Sequence, residues 1–274
     1  MIDLSDTNSI YTMADWVELR VIHGNKPMSK ATMTALLQSY VPELREDTVD
    51  SVVGELERRC HLYGEASPFS IDGERIRPII KWKDIPEFLM CLIFSLRGVK
   101  KKRGEDDGTK LFERLSNEAV KSYLGGDAEV IGFPNGKNLI NQIRSISQRT
   151  SESIGHRFPK PKDKDKGVDI IAWKPHGDKR PNQIVLLLQC GAGVNFSQKK
   201  PISIKAWKEF IHWSAEPVLG IMIPFIVSSE SLTELTDDYN LIFDRVRIYK
   251  AVYNKHLSDN TLRKQILNWC KSNT

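Results

Sequence analysis

No apolar run in this chain approaches the ~20 residues of a membrane-spanning helix. The longest, FLMCLIFSL at 88–96, is about half that length and reads as a core helix. Cysteine is scarce. Cys60, Cys91, Cys190 and Cys270 lie far apart and form no CxxC pair. That spacing argues against zinc ribbons and disulfide frameworks, and it reads as reduced thiols in a cytoplasmic protein. The six histidines make neither HxxxH nor HExxH. GxSxG is absent, which removes the serine-hydrolase elbow. The glycine-rich GAG at 191–193 lacks the GxxxxGK[ST] frame of a phosphate loop. There is no internal repeat, and the opening MIDLSDTNSI is acidic and polar, unlike a secretory leader.

What is present is ordinary in bulk and uneven in distribution. The 274 residues are 40% hydrophobic and 27% charged, enough for a sizeable core in one large or two modest domains. Net charge is +5, but residues 1–80 hold 8 Lys+Arg against 13 Asp+Glu, leaving 32 against 22 for the remainder. The basic part suits a polyanion, since phosphate contacts supply most sequence-independent binding. A solvated lysine-rich surface has the same composition. The acidic part suits a protein partner.

Periodicity divides the chain the same way. Helices are expected at 13–24, 29–41 (with Ser29 as N-cap) and 48–63, followed by a hairpin around Asp72-Gly73. Three helices and a hairpin have the order of a winged helix, although the acidity of this segment favours protein contact over DNA reading. A further helix is expected at 84–97. The charged, Gly-bounded GVKKKRGEDDG at 98–108 marks a boundary, giving a helical domain at 1–104 and a second domain at 105–274. The second domain reads as a helix at 109–124, a strand at 128–134, a helix at 138–153 and strands at 168–173 and 183–190. After these come a helix at 203–213, strands at 218–228 and 241–252, and a closing helix at 260–270. This order means an α/β domain with a central sheet.

Two polar residues sit awkwardly in the apolar strands. Asp169 lies within VDIIA and Gln189 ends IVLLLQ. A buried carboxylate is costly unless paired or bound to metal. An isolated aspartate in such a place commonly just accepts hydrogen bonds from a nearby loop. Neighbouring strands, however, would bring Asp169 and Gln189 to one sheet edge, an oxygen-rich setting suited to Mg²⁺. Glu113 borders the core face of the 109–124 helix and could reach the same edge. Lys199, Lys200 and Lys205 follow shortly after. A lysine there could orient a nucleophile and neutralise phosphate charge. Cys190 with His156, His176 or His212 as base is a competing nucleophile arrangement, but a cysteine on an apolar strand is usually a small buried hydrophobe. Trp173, Trp207 and Trp213 could stack on bases, or belong to the core.

The segments KLFERL, GVDIIAW and LLLQCGAG together resemble the PD-(D/E)XK, restriction-endonuclease-like nucleases over residues 109–252. The Gln in the third-strand position is similar to the Mrr-like branch. The resemblance implies a restriction-endonuclease-like mixed central sheet flanked by helices, and Mg²⁺- or Mn²⁺-dependent hydrolysis of DNA in bacterial defence. Glu113 would be the helix acid, Asp169 the essential metal-binding acid, Gln189 the third-strand ligand and the Cys190 carbonyl the main-chain ligand. The family's lysine two residues after Gln189 is missing, because Gly191 stands there. Lys199 is the first choice for a migrated replacement, ahead of Lys200 and Lys205. Arg157, Lys160, Lys162, Lys164 and Lys166 would grip the DNA backbone. Cleavage of both strands would call for a homodimer. The alternative is a non-catalytic subunit of the same fold that binds nucleic acid or a partner.

Overall fold

The computed structural model describes all residues except 1, 3, 5–8, 100–107, 132–138, 158, 160–165 and 194, and only the backbone of 197. The chain begins with α1 (Ile10–Gly24), β1 (Met28–Ser29), α2 (Lys30–Gln38), α3 (Glu46–Tyr63), β2 (Phe69–Asp72), β3 (Arg75–Pro78) and α4 (Pro86–Arg97). Ser29 caps α2 as expected, its hydroxyl accepting the Thr32 N–H at 3.1 Å. The hairpin turns through Gly73, whose φ of +55° is the left-handed conformation that favours glycine. The short β1 then adds to the hairpin, giving an antiparallel sheet in the order β1-β3-β2.

From Thr109 the architecture is mixed α/β. It runs α5 (Thr109–Leu124), β4 (Asp127–Val130), α6 (Leu139–Thr150), β5 (Ser153–Ile154), β6 (Ile170–Lys174) and β7 (Ile184–Cys190). The chain continues through α7 (Ile204–Lys208), β8 (Ile211–His212), β9 (Val218–Met222), α8 (Ser229–Tyr239), β10 (Leu241–Phe243), α9 (Arg245–Val252) and α10 (Leu262–Asn273). Five strands form the central sheet in the order β10-β9-β7-β6-β4. The pairs β4–β6 and β6–β7 are antiparallel, while β7–β9 and β9–β10 are parallel. Residues alternate between the faces, as strand geometry requires. Ile170, Ala172, Leu186 and Leu188 join the core that also contains Phe112 and Leu115 of α5. Ile171, Trp173, Val185 and Leu187 join a second core with Ile143, Trp207 and Phe210. Both faces of β6 and β7 are covered, which is why these strands read as continuous apolar runs.

Several expected elements differ. Residues 241–252 are not one strand: β10 stops at Phe243 and α9 begins at Arg245. Asp244 caps that helix by accepting the Arg247 N–H at 3.0 Å, and a good N-cap outweighs the β-propensity of Val246, Ile248 and Tyr249. The strand expected at 218–228 ends at Met222, and the helix expected at 203–213 ends at Lys208, with Ile211–His212 pairing to β5. Helix α8 was not expected. Its acidic, weakly apolar sequence buries only Tyr239, so it gives little periodic signal.

The boundary placed at 104 falls outside the described residues. One apolar core contains residues from both sides of it, from Trp16 and Phe88 to Phe112, Tyr249 and Trp269. A buried charge cluster also bridges the two sides. The Arg245 Nη2 lies 2.7 Å from Asp15 and 3.1 Å from Glu18, and Arg59 reaches the same two acids and Glu55. No helix among the described residues is long and apolar enough to cross a membrane.

Candidate active site

Asp169 immediately precedes β6, where the sheet opens toward the loop after β7. Its N–H donates to the Leu188 carbonyl, and its Oδ2 accepts the Cys190 N–H at 2.7 Å. The carboxylate therefore closes the end of the β6–β7 ladder through a charge-assisted bond. Its side chain keeps 20% exposure, so it is the partly open member of the site.

Lys199 approaches from the loop after β7. Its Nζ donates to the Cys190 carbonyl at 2.6 Å and lies 3.8 Å from Asp169 Oδ2. Lys199 is thus the lysine brought onto the site. Lys200 and Lys205 are exposed, and Lys200 contributes its backbone carbonyl, which accepts from Gln189 Nε2 at 3.0 Å. The missing motif lysine has a steric explanation. A Cβ on Gly191 would stand 2.8 Å from Phe196 Cβ and 3.2 Å from Ile223 Cγ2. The loop that carries Lys199 packs on the position where a longer residue would start.

Glu113 projects from α5 with its carboxylate 2.9 and 3.0 Å from Lys110 Nζ. Burial pushes its pKa up. The Asp169 charge adds to that rise, while Lys110 and Lys199 oppose it without cancelling it. Glu113, Asp169 and Lys199 therefore share one electrostatic neighbourhood. The thiol of Cys190 is pushed well above its ordinary range by burial and then by the Asp169 and Glu113 charges. That is the opposite of what a nucleophilic cysteine needs.

Gln189 is 4% exposed on β7. Its neighbours Leu188 and Cys190 belong to the α5-side core, so strand alternation turns Gln189 to the opposite face from Glu113. Its Nε2 holds the Lys200 carbonyl, and its Oε1 is buried with no partner among the described residues. An acceptor left unpaired in the interior is costly.

The other anticipated residues are placed as follows. Arg157 pairs with Glu209 at 3.0 Å, and Lys166 lies over the Phe210 ring at 5.4 Å. Lys160, Lys162 and Lys164 lie outside the described residues. Trp173, Trp207 and Trp213 are buried core residues, so they offer no face to a base. Sequence reasoning missed Lys110, Phe196 and Tyr239. Only Lys110 carried a local signal, its i,i+3 spacing to Glu113.

The oxygens gathered here are hard donors of the kind Mg²⁺ prefers: two carboxylates and one backbone carbonyl. No group of three His, Cys, Asp or Glu side chains among the described residues could hold a metal ion. Any ion here would therefore depend on the backbone carbonyl as well. Comparison of the chain with protein-family models, with curated proteins and with solved structures finds no match to any of them.

Proposed function

We propose that the chain is a metal-dependent endonuclease that hydrolyses DNA phosphodiester bonds. The observation that carries this reading is the meeting of Asp169, Lys199 and the Cys190 carbonyl at the end of the β6–β7 ladder, with Glu113 in electrostatic reach. The mixed sheet, entered from α5 and crossed by the antiparallel β4, β6 and β7, supports a restriction-endonuclease-like fold. The order α1-β1-α2-α3-β2-β3 with sheet order β1-β3-β2 supports a winged-helix reading of the first region.

Glu113, Asp169 and the Cys190 carbonyl are the residues that would hold Mg²⁺ or Mn²⁺, whose chemistry when bound is to polarise the phosphodiester and acidify water; Gln189 faces the other side of the sheet. Lys199 holds a positive charge 3.8 Å from Asp169. From there it would orient the attacking water and offset charge developing on the phosphoryl oxygens. Asp169, fixed by the Cys190 N–H, keeps Lys199 and the strand end in register. Glu113 must be ionised to take part, and its raised pKa places that ionisation at higher pH than for a free glutamate. The basic balance after residue 80 supports DNA as the substrate and the acidic balance before it supports a protein partner. A role in bacterial defence, a cytoplasmic setting and a homodimer that cuts both strands belong to the same proposal.

One observation favours a second reading, a non-catalytic subunit that binds nucleic acid or a partner. The Cys190 carbonyl already accepts the Lys199 ammonium, and Gln189 Nε2 is engaged by the loop. Incubating the purified protein with plasmid DNA, with Mg²⁺, Mn²⁺ or EDTA and beside Asp169→Ala, separates the two. Metal-dependent nicking or linearisation that vanishes in the variant supports the nuclease. Metal-independent DNA binding that survives the substitution, without cleavage, supports the binding subunit.

A further inference from the structure

The loop after β7 contains one 3-10 turn, closed by the Lys199 N–H donating to the Phe196 carbonyl at 3.0 Å, and its backbone is held further at three carbonyls by two buried side chains. Tyr239, at the end of α8, is 3% exposed. Its hydroxyl lies 3.0 Å from the Lys199 carbonyl and 3.3 Å from the Phe196 carbonyl, one proton serving both. Gln189 donates from β7 to the carbonyl of Lys200 at 3.0 Å. Between these anchors Phe196 seats the loop on Gly191 and stacks on Phe225 with ring centres 5.4 Å apart. The three anchored carbonyls belong to Lys199 itself, to its neighbour and to the start of its turn.

We infer that Tyr239 and Gln189 are positioning residues. Together they clamp the loop that delivers the Lys199 ammonium to Asp169 and the Cys190 carbonyl. A lysine built into a strand gets its aim from the sheet. A lysine carried by a loop must be aimed by other contacts, since a loose lysine gives up considerable rotamer and backbone entropy on ordering. The clamp supplies that aim. It also gives Gln189 a task different from the metal ligation that its place in the third strand implies: the amide N–H carries the function, and the amide oxygen is left over. The clamp itself is a matter of loop geometry. Its consequence for catalysis rests on the nuclease reading.

Two nearly isosteric substitutions test it. Tyr239→Phe removes only the hydroxyl. Gln189→Glu removes the N–H donor while keeping an oxygen that could ligate metal. Each variant, and the wild type, is treated at pH 8 with a limiting amine-acylating reagent, and labelling of each lysine is followed by mass spectrometry. Lys199 is expected to label several-fold faster in both variants, with Lys205 and Lys208 of α7 unchanged. In the cleavage assay both variants should lose about tenfold in kcat with KM for DNA unchanged. Unchanged Lys199 labelling in both variants overturns the inference, as does a uniform rise at every lysine, which would mean general loosening. A Gln189→Glu protein that cleaves as well as wild type also overturns it, because that is the behaviour of a ligand. If the wild type cuts no DNA with any metal, the nuclease reading fails, and the labelling still decides the clamp.

Discussion

Two charged clusters take ions out of water in this molecule, and they are completed differently. Around Arg59 and Arg245, most polar atoms are paired, although Arg245 Nη1 is buried with no partner among the described residues. Arg59 reaches Asp15, Glu18, Glu55 and the Tyr11 carbonyl, and Arg245 reaches Asp15, Glu18 and the Tyr63 hydroxyl. Burial alone would raise the Asp15 pKa, but the two guanidinium groups outweigh it and hold the carboxyl below its ordinary range. Around Asp169 the pairing is incomplete. Burial pushes Glu113 up, as it does Glu18 in the first cluster, Lys199 is 42% exposed, and Gln189 Oε1 has no described partner. The first cluster is closed and joins the two ends of the chain. The second is left open at the end of the β6–β7 ladder, where a ligand could complete it. Ion pairing alone does not distinguish structure from function; exposure separates these two clusters, since the Arg59 and Arg245 side chains are 1% and 0% exposed and that of Lys199 is 42% exposed.

The closed cluster is the easiest to break. Arg245→Met leaves Asp15 and Glu18 with fewer counter-charges inside the core. It should cost about 3–5 kcal/mol, a drop in Tm on the order of 10 °C by thermal denaturation. A drop of only a degree or two would mean the cluster is not buried as described. At the open cluster the large effect should fall on activity. Asp169→Ala is expected to reduce metal-dependent plasmid cleavage by about 10²–10³-fold while costing no more than about 3 kcal/mol of stability. A stability loss as large as that of Arg245→Met would erase the contrast. Gly191→Ala comes next. Its new methyl would sit 2.8 Å from Phe196 Cβ, so overpacking of about 1–3 kcal/mol is expected, together with faster acylation of Lys199. Unaltered Lys199 reactivity would show that the loop does not depend on that seat.

The smallest effect has the opposite sign. The pKa of Glu113 in the folded protein is raised above its ordinary 4.5, so the native state binds more protons than the unfolded one between those two values. Its contribution to stability therefore falls as pH rises through that window. Glu113→Gln should melt at a higher temperature than wild type at neutral pH, and the gain should shrink as pH approaches 4.5 from above. A Tm advantage that is absent at neutral pH, or grows on acidification, would contradict a half-buried carboxylate that Lys110 and Lys199 compensate only in part.

Legibility from sequence followed the range of the interactions involved. Helix α5 runs over 109–124 as its periodicity indicated, because amphipathic spacing and the Gly108 and Gly125 ends are local. Strands β6 and β7 were legible as apolar runs covered on both faces. Helix α9 was misread because its β-branched and aromatic residues resemble a strand, and only the Asp244 cap argues otherwise. In the site, Asp169 stood out as an acid in an apolar strand, and Lys199 as a lysine following closely after the next strand. The orientation of Gln189 was not legible, since it depends on which parity of β7 faces α5.

The sequence by itself determined the alternation of helix and strand, the split of charge along the chain, and the presence of an acid, an amide and a nearby lysine around two apolar strands. Those are properties of neighbours in the chain, where spacing and local conformational preference act. Only the tertiary structure decided that Phe196 closes the space over Gly191, that Tyr239 holds Lys199 from 40 residues away, and that Arg245 joins α9 to α1. Such contacts form between segments distant along the chain, and their partners are chosen by how the whole core packs.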